Sequence, residues 1–395
     1  MSWERYRLGD LYEVHNGLSK GSKFFGSGYG FLSFSTVFNN YFIPDELPDL
    51  VQSTEKEQES YSIKRGDIFL TRTSETADEL GMSCVALKDY PHATYNGFTK
   101  RLRPITDKVV PEYIGYYMRM PSFRNEFMAF STMTTRASLR NEDLLGLKVN
   151  LPNLDKQSSI ANILREYDYL IENNQKQIKL LEEAAQRLYK EWFIDHHFPG
   201  YENVKIVDSI PEGWNIRKLA DVADIIMGQS PTSDTFNLNR NGLPFHQGVG
   251  SYGNRYVKNK VYTTSYTRIA NADSILFSVR APVGRLNVTK NKIVIGRGLA
   301  AFNQKQGYQN YLFYMLKEHY FKDDLIGNGS IFSSITKNEL MNQKFIIPDT
   351  KTMLAYDNIA KIIDKKIDNL DCQIDLISEA RNRLLPKLMS GEIEI

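Results

Sequence analysis

Apolar positions along this chain follow two different periods. Over residues 160–192, Ile160, Leu164, Tyr167, Ile171, Asn174, Ile178, Leu181, Ala185, Leu188 and Trp192 succeed one another at alternating steps of four and three. Charged and amide residues fill the positions between, so the stretch predicts a long helix with one apolar seam. The same spacing returns at Tyr356, Ala360, Ile363, Ile367, Leu370, Ile374, Ile377, Arg381, Leu384 and Leu388. Asn174 and Arg381 alone interrupt the two seams. Each helix is expected to run ~33 residues, or roughly 50 Å at 1.5 Å per residue, beyond the usual length of a globular helix. Pro386 is expected to kink the second near its end. Elsewhere the apolar runs are short: 67–71, 84–87, 275–279 and 293–295 read as strands, and 111–128 and 308–322 as helices. That mixture places both intervening bodies in the α+β class.

The two seams are copies of each other. QIKLLEEAAQRLYKEW (177–192) and QIDLISEARNRLLPKL (373–388) keep Gln, Ile, Leu, Glu, Ala, Arg and Leu at a constant offset of 196 residues. Upstream, Asn162, Ile163, Asp168, Ile171 and Asn173 recur as Asn358, Ile359, Asp364, Ile367 and Asn369, and Ser138, Lys148 and Pro152 as Ser334, Lys344 and Pro348. Earlier residues diverge. Two echoes remain: RGDIFLTRT (65–73) with ADSILFSVRA (272–281), and WERYRLGDL (3–11) with WNIRKLADV (214–222). The chain is therefore a duplicated module that keeps its helix and varies its globular part.

Two amphipathic helices can each pack on their own body, or on one another. Their length favours mutual packing, since globular helices commonly run about 8–20 residues. The second helix then runs back antiparallel to the first, giving a dumbbell with a pseudo-two-fold axis and two dissimilar heads. Duplex DNA also has a two-fold axis, and it repeats its groove every ~34 Å. A reader at each end of a roughly 50 Å rod suits a split, non-palindromic site.

Composition narrows the field only slightly. The chain is 42% apolar and 24% charged, and its two cysteines, Cys84 and Cys372, suggest no disulfide framework, so a reducing cytoplasm is expected. No apolar run approaches the ~20 residues of a membrane helix. The opening MSWERYRLGDLYEV carries charge where a signal peptide would be apolar. Net charge is +2; residues 1–150 hold 18 Lys and Arg against 19 Asp and Glu, and residues 201–350 hold 18 against 12. The second body is modestly basic and the first balanced, so any nucleic-acid contact must come from local patches.

Three stretches resemble one family. RNRLLPKLMSGEIEI (381–395) is similar to the C-terminal signature of the specificity subunits of type I restriction–modification enzymes. LPNLDKQSSIANILREYD (151–168) resembles the start of that family's first helical region, and IMGQSPTSDTFN (226–237) with GLPFHQGVG (242–250) resembles the opening of its second recognition domain. PDTKTMLAY (348–356) departs from the pattern set at 152–160. The resemblance covers essentially the whole chain. It implies target-recognition domains at 1–152 and 199–348, joined by conserved helical regions at 153–198 and 349–395 that pair as an antiparallel coiled coil. Ile171, Ile178, Leu181, Leu188, Ile367, Ile374, Ile377 and Leu384 would form the coil and its partner surface. It also implies a non-catalytic subunit that reads double-stranded DNA and holds two methyltransferase subunits and, separately, restriction (translocase/nuclease) subunits. Those partners would use S-adenosylmethionine to methylate adenine, and ATP and Mg2+ for translocation and cleavage; this chain itself would hold no cofactor and no metal.

Read from the residues, no catalytic constellation stands out. GLSKG (17–21) has the letters of a nucleophile elbow, but SKFFGSGYGF after it does not predict the required helix. His196 and His197 are adjacent and lack Cys or carboxylate partners at metal-ligand spacing. There is no adenine-methyltransferase NPP[YF] signature. For DNA contacts, GDIFLTR and SILFSVR end apolar strands on Arg72 and Arg280, each suited to guanine or phosphate, or to a surface salt bridge. KRLR (100–103) puts Lys100 and Arg101 in a basic cluster suited to phosphate. Lys20 and Lys23 lie in one polar loop, and Gln229, Ser230 and Ser233 in another; such loops offer base-edge chemistry and are equally ordinary solvated turns. Arg136, Ser333 and Lys337 precede the two helical units and complete the candidates. The rival readings are a structural coiled-coil adaptor with two protein-binding heads and a hydrolase with a cryptic site.

Overall fold

The computed structural model describes residues 3–74, 79–129, 132, 133, 137, 138, 140–320 and 334–395. Two compact units are present: Met1–Leu170 with Leu376–Ile395, and Ile171–Asp375. Both contain strands and helices, and both contain a piece of each of two long helices, Leu154–Phe193 and Thr350–Ser390. The helices are longer than their seams alone require. Asn153 Oδ1 accepts from Lys156 N at 2.9 Å, and Asp349 Oδ1 accepts from Thr352 N at 3.0 Å, so a capping side chain starts each one. The start at 348–356, divergent in sequence, is thus capped in the same way as its counterpart. Pro386 lies inside the second helix, which continues to Ser390.

In the first unit the head is built on a four-stranded antiparallel sheet. Its strands, in spatial order, are Tyr12–Asn16, Thr99–Pro104, Ile68–Thr71 and Ser83–Val85. Ile68–Thr71 is buried on both faces, as its continuous apolar run requires. A second sheet orders Asp49–Val51, Phe25–Leu32 and Thr94–Tyr95. Helices Pro111–Tyr117 and Pro121–Ala129 occupy the stretch read as helical. The strand Glu4–Arg7 pairs antiparallel with Lys148–Leu151, so WERYRLGDL leads into the sheet from the base of the long helix.

The second unit repeats this plan from different residues. Ala223–Met227, Leu299–Gln304, Ile275–Ser278 and Leu286–Val288 form its antiparallel sheet. A five-stranded mixed sheet includes Leu243–His246 and Ile293–Ile295 as a parallel pair. Asn215–Lys218 pairs with Lys344–Ile347, the counterpart of the ribbon in the first unit. The helix Gln309–Tyr320 packs beneath the sheet. The echoes in the sequence therefore mark equivalent strands.

The long helices pack both on each other and on the heads. In the first unit Ile160, Ala161 and Leu164 join Leu385, Leu388 and Met389 in the core of the head, with Leu384 alongside. In the second, Ile178, Ile367, Leu370 and Ile374 form a separate seam flanked by Ile171, Leu181 and Ile363. Leu188 packs on the core that holds Ala185, Trp192, Tyr356 and Ala360, and Ile377 is half-buried. Pairing is antiparallel: Asn174 Nδ2 donates to Gln373 Oε1 at 3.2 Å, while Ala185 O accepts from the Tyr356 hydroxyl at 2.9 Å. The two residues that interrupt the seams are accounted for, Asn174 by Gln373 and Arg381 by an ion pair with Asp168.

Candidate nucleic-acid interface

In the first head, strand Tyr12–Asn16 runs out into Gly17, Leu18 and Ser19, which press against the turn after Tyr95. Leu18 N donates to Tyr95 O and Gly97 N to Leu18 O, both at 2.8 Å. A Cβ on Gly17 would stand 2.0 Å from Asn96 O, so only glycine allows this approach. Arg72 N donates to Phe98 O at 3.0 Å, bringing the end of strand Ile68–Thr71 to the same turn. Ser19, Arg72 and Asn96–Phe98 therefore gather at one end of the sheet.

The second head makes the same crossing. Gly228 N donates to Leu299 O and Gln229 N to Ile295 O, both at 2.9 Å, and a Cβ on Gly228 would stand 2.1 Å from Gly296 O. Val279 N donates to Gly298 O at 2.9 Å, the counterpart of the bond made by Arg72 N. Ser230 Oγ donates to Gln247 Oε1 at 2.7 Å and accepts from Arg297 N at 3.3 Å. Thr267 Oγ1 donates to Gln229 O at 2.5 Å. The two polar loops singled out in the sequence are thus equivalent loops, each locked by a glycine.

Individual candidates fare differently. Lys20 is tied down: its Nζ lies 2.7 Å from Glu57 Oε2 and donates to Gln52 O at 2.6 Å. The bond from Lys20, then that from Thr54 N, hold the Glu57 carboxyl below its usual range. Lys23 is exposed, with its ammonium 5.1 Å from the Phe24 ring. Gln229, Ser233 and Arg280 are exposed, and Ser233 opens a short 3-10 turn. Lys337 is exposed at the start of helix Lys337–Asn342, which Thr336 and Glu339 cap reciprocally. Arg136 and Ser333 lie outside the described residues.

One expectation needs correction. KRLR is not a surface cluster, because Thr99–Pro104 is an inner strand of its sheet. Lys100 is 5% exposed and bonded to Asn141; Arg101 is 3% exposed and donates to Ser62 O at 2.8 Å. Arg103 pairs with the buried Asp67 at 2.6 Å. Burial, and then the charge of Arg72, push the Lys100 ammonium below its ordinary value. All three cations are thus taken up by partners inside the head. Arg72 and Arg280 do not stand at equivalent positions of the two heads. Thr71 pairs with Thr99 and Ser278 with Leu299 in equivalent registers, so Val279, not Arg280, corresponds to Arg72. Successive strand residues face opposite ways. Arg72 is half-buried and Arg280 exposed.

The remaining sequence signals are structural. GLSKG is followed by the 3-10 turn Ser22–Phe24, not by a helix. His197 Nδ1 lies 2.8 Å from Glu191 Oε1, and His196 packs edge-on against Trp214. Among the described residues no group of three His, Cys, Asp or Glu could hold a metal ion, and no helix is long and apolar enough to cross a membrane. What the sequence reading passed over is the turn itself, NGF at 96–98 and GRG at 296–298. Glycine beside a single large side chain, directly after a short buried strand, was the available signal.

Comparison with known proteins agrees with this duplicated build. The family profile of the type I restriction modification DNA specificity domain matches twice, over residues 1–183 and 211–385. A putative type I restriction enzyme MjaX specificity subunit of Methanocaldococcus jannaschii is 30% identical over 401 residues, covering 100% of this chain and 94% of that protein. The type I restriction enzyme HindI specificity subunit of Haemophilus influenzae is 21% identical, covering 99% of each. The crystal structure of a type I restriction–modification S subunit from M. genitalium shares the fold at a TM-score of 0.52 and 14% identity, covering 98% of this chain and 96% of that one. On the two profile matches and the full-length relatives, the chain belongs to the type I restriction–modification DNA specificity subunit family.

Proposed function

We propose that this chain chooses the DNA sequence on which a type I restriction–modification complex acts, reading a split, asymmetric site with one head per half. The observation that carries this is the pair of equivalent loop clusters, Gly17–Lys23 with Asn96–Phe98 and Gly228–Ser233 with Gly296–Gly298. Each is fixed in backbone, and each carries different side chains. A fixed frame with variable side chains is what direct readout of base edges needs. The chain is a specificity subunit without chemistry of its own; adenine methylation and ATP-dependent cleavage belong to partner subunits, which would supply S-adenosylmethionine, ATP and Mg2+.

In this reading the target-recognition domains are residues 1–152 and 199–348, and the helical regions 153–198 and 349–395 receive two methyltransferase subunits and the restriction subunits. Lys23, Arg72, Gln229, Ser230, Ser233, Arg280 and Lys337 are the base or phosphate contacts, and Arg136 and Ser333 stay in that set. Lys20 joins them only on leaving Glu57. Sequencing methylated adenines in cells with and without this gene tests the proposal. The expected result is one bipartite motif that disappears with the gene. A single contiguous motif, or an unchanged methylome, would overturn it.

A further inference from the structure

The turn that closes each loop cluster carries one projecting side chain, and it differs between the heads. Phe31 pairs in parallel with Thr94 and Leu32 with Tyr95; Phe245 pairs with Val294 and His246 with Ile295. Asn96 N then donates to Leu32 O at 3.0 Å, and Gly296 N to His246 O at 2.8 Å. Counting on from these bonds, Gly97 corresponds to Arg297 and Phe98 to Gly298. Where the first head has glycine then phenylalanine, the second has arginine then glycine.

Both turns are clamped on every side. In the second head a Cβ on Gly296 would lie 2.2 Å from Gln247 Oε1, and one on Gly298 2.4 Å from Gln247 O. Arg297 N is held by Ser230 Oγ and Gly298 O by Val279 N. Arg297 is exposed, and Gln247 beside it keeps its amide Nε2 while Ser230 fixes its oxygen. In the first head Phe98 N donates to Asn96 Oδ1 at 2.7 Å, and a Cβ on Gly97 would lie 2.2 Å from Ser19 Oγ. Phe98 is 59% exposed, an apolar ring standing in water on a polar turn. More than half of that residue's surface is left to solvent.

We propose that this turn is the specificity-determining element of each head, with Arg297 reading guanine in one half-site and Phe98 contacting a thymine methyl in the other. Arginine's planar fork matches guanine O6 and N7 in the major groove, and an aromatic ring matches the thymine methyl. Clamping the turn keeps that geometry without a folding step on binding. The inference rests on the DNA reading above and assigns the residues that discriminate.

The test uses the full chain assembled with its methyltransferase subunits, acting on a randomised duplex library, with methylated sequences read out. Arg297→Ala is expected to relax one guanine position of one half-site by about tenfold, the smaller end of what a bidentate pair supplies, leaving the other half unchanged. Arg297→Lys keeps the charge and loses the fork, so it should relax the same position while the salt dependence of binding stays as in the wild type. Phe98→Ala should relax a thymine in the opposite half. Both side chains are exposed, so unchanged melting of the free chain is expected. A selective wild type whose motif survives Arg297→Ala and Phe98→Ala overturns this assignment alone. Uniform weakening of all sequences by Arg297→Ala, with a smaller salt slope, would make Arg297 a phosphate contact and overturn it too. A wild-type complex with no sequence preference would instead end the DNA reading itself.

Discussion

Arg381 of the second long helix forms an ion pair with Asp168 of the first, at the point where the apolar seam is interrupted. The same carboxylate accepts a hydrogen bond from the Tyr116 hydroxyl on a helix of the head. Asp364, the copy of Asp168 at the 196-residue offset, accepts from the Tyr314 hydroxyl at 3.3 Å and pairs with Arg255 at 2.5 Å. The duplicated aspartate thus gives each head a polar tie to the long helices, beside the apolar packing. Only the cation changes source, from the opposite helix in one unit to the head itself in the other.

That tie makes Arg381→Leu costly. Both side chains are largely buried, so removing the cation leaves Asp168 with one hydroxyl for a partner. A loss of about 3–5 kcal/mol is expected. Asp168→Leu with Arg381→Leu should cost less than Arg381→Leu alone, because no unpaired charge then remains. Urea unfolding of Arg381→Leu, Asp168→Leu and the double variant closes the cycle; strict additivity would contradict the pairing.

How much of this was legible beforehand follows from what kind of signal each feature leaves. The long helices and their antiparallel packing were readable because a seam at steps of three and four allows one buried face. Even the interruptions at Asn174 and Arg381 were visible, although their partners were not: Gln373 and Asp168 come together only through the antiparallel register. KRLR was misread because a run of cations looks solvated, and nothing local announces that Asp67 and the Ser62 carbonyl await it inside the sheet. The turns at Phe98 and Arg297 escaped notice because their importance lies in which backbone they press against, a long-range property.

Buried and exposed cations should separate cleanly. Arg101→Met removes a guanidinium bonded to Ser62 O inside the first head and should lower stability by about 1–3 kcal/mol, the cost of breaking a buried charge-assisted bond. Its effect on DNA selection should follow only from the loss of folded protein. Arg280→Ala and Lys23→Ala should leave the melting temperature unchanged and weaken DNA binding, each on one half-site. Melting curves with filter binding on half-site mutants check this, and identical behaviour of all three would refute the division.

Leu181 packs beside Ile178, Ile367, Leu370 and Ile374 in the seam. Leu181→Asp puts a carboxylate among them and should cost about 2 kcal/mol, the low end for a partly exposed leucine. Capture of methyltransferase subunits should fall with it, while the bases preferred by the complexes that do form should stay the same. Methylation sequencing at saturating partner concentration separates the two effects; an altered motif would show that the coil and the readers are not independent.

The Lys20–Glu57 pair gives the first loop a pH signature. The Glu57 carboxyl is held low by the bond from Lys20 and then by Thr54 N. Its contribution is therefore fully present above the unfolded glutamate value of about 4.3 and is lost as pH falls through the lower folded value. Glu57→Gln should destabilise the loop equally from pH 6 to 8, with the difference from wild type closing in acid. Hydrogen exchange of residues 17–24 across that range reads it. A gap that widened below pH 4 would have the wrong sign.

Gly228 tests whether the crossing of loops is what aims the second reader. A methyl group there would stand 2.1 Å from the backbone oxygen of Gly296 and 2.9 Å from that of Ile295, neither of which a rotamer change can move. Gly228→Ala must therefore push the loop off the turn, breaking the bonds from Gly228 N to Leu299 O and from Gln229 N to Ile295 O. Overpacking of this kind costs about 1–3 kcal/mol, small enough for the head to stay folded on its own sheet. Selection should fail in one half-site only, with the other half still required for methylation. Gly17→Ala, which meets Asn96 O at 2.0 Å, should do the same to the opposite half. Methylation of a library in which each half-site is randomised in turn measures both. Intact two-part selectivity in Gly228→Ala would mean that the loop does not position the base contacts.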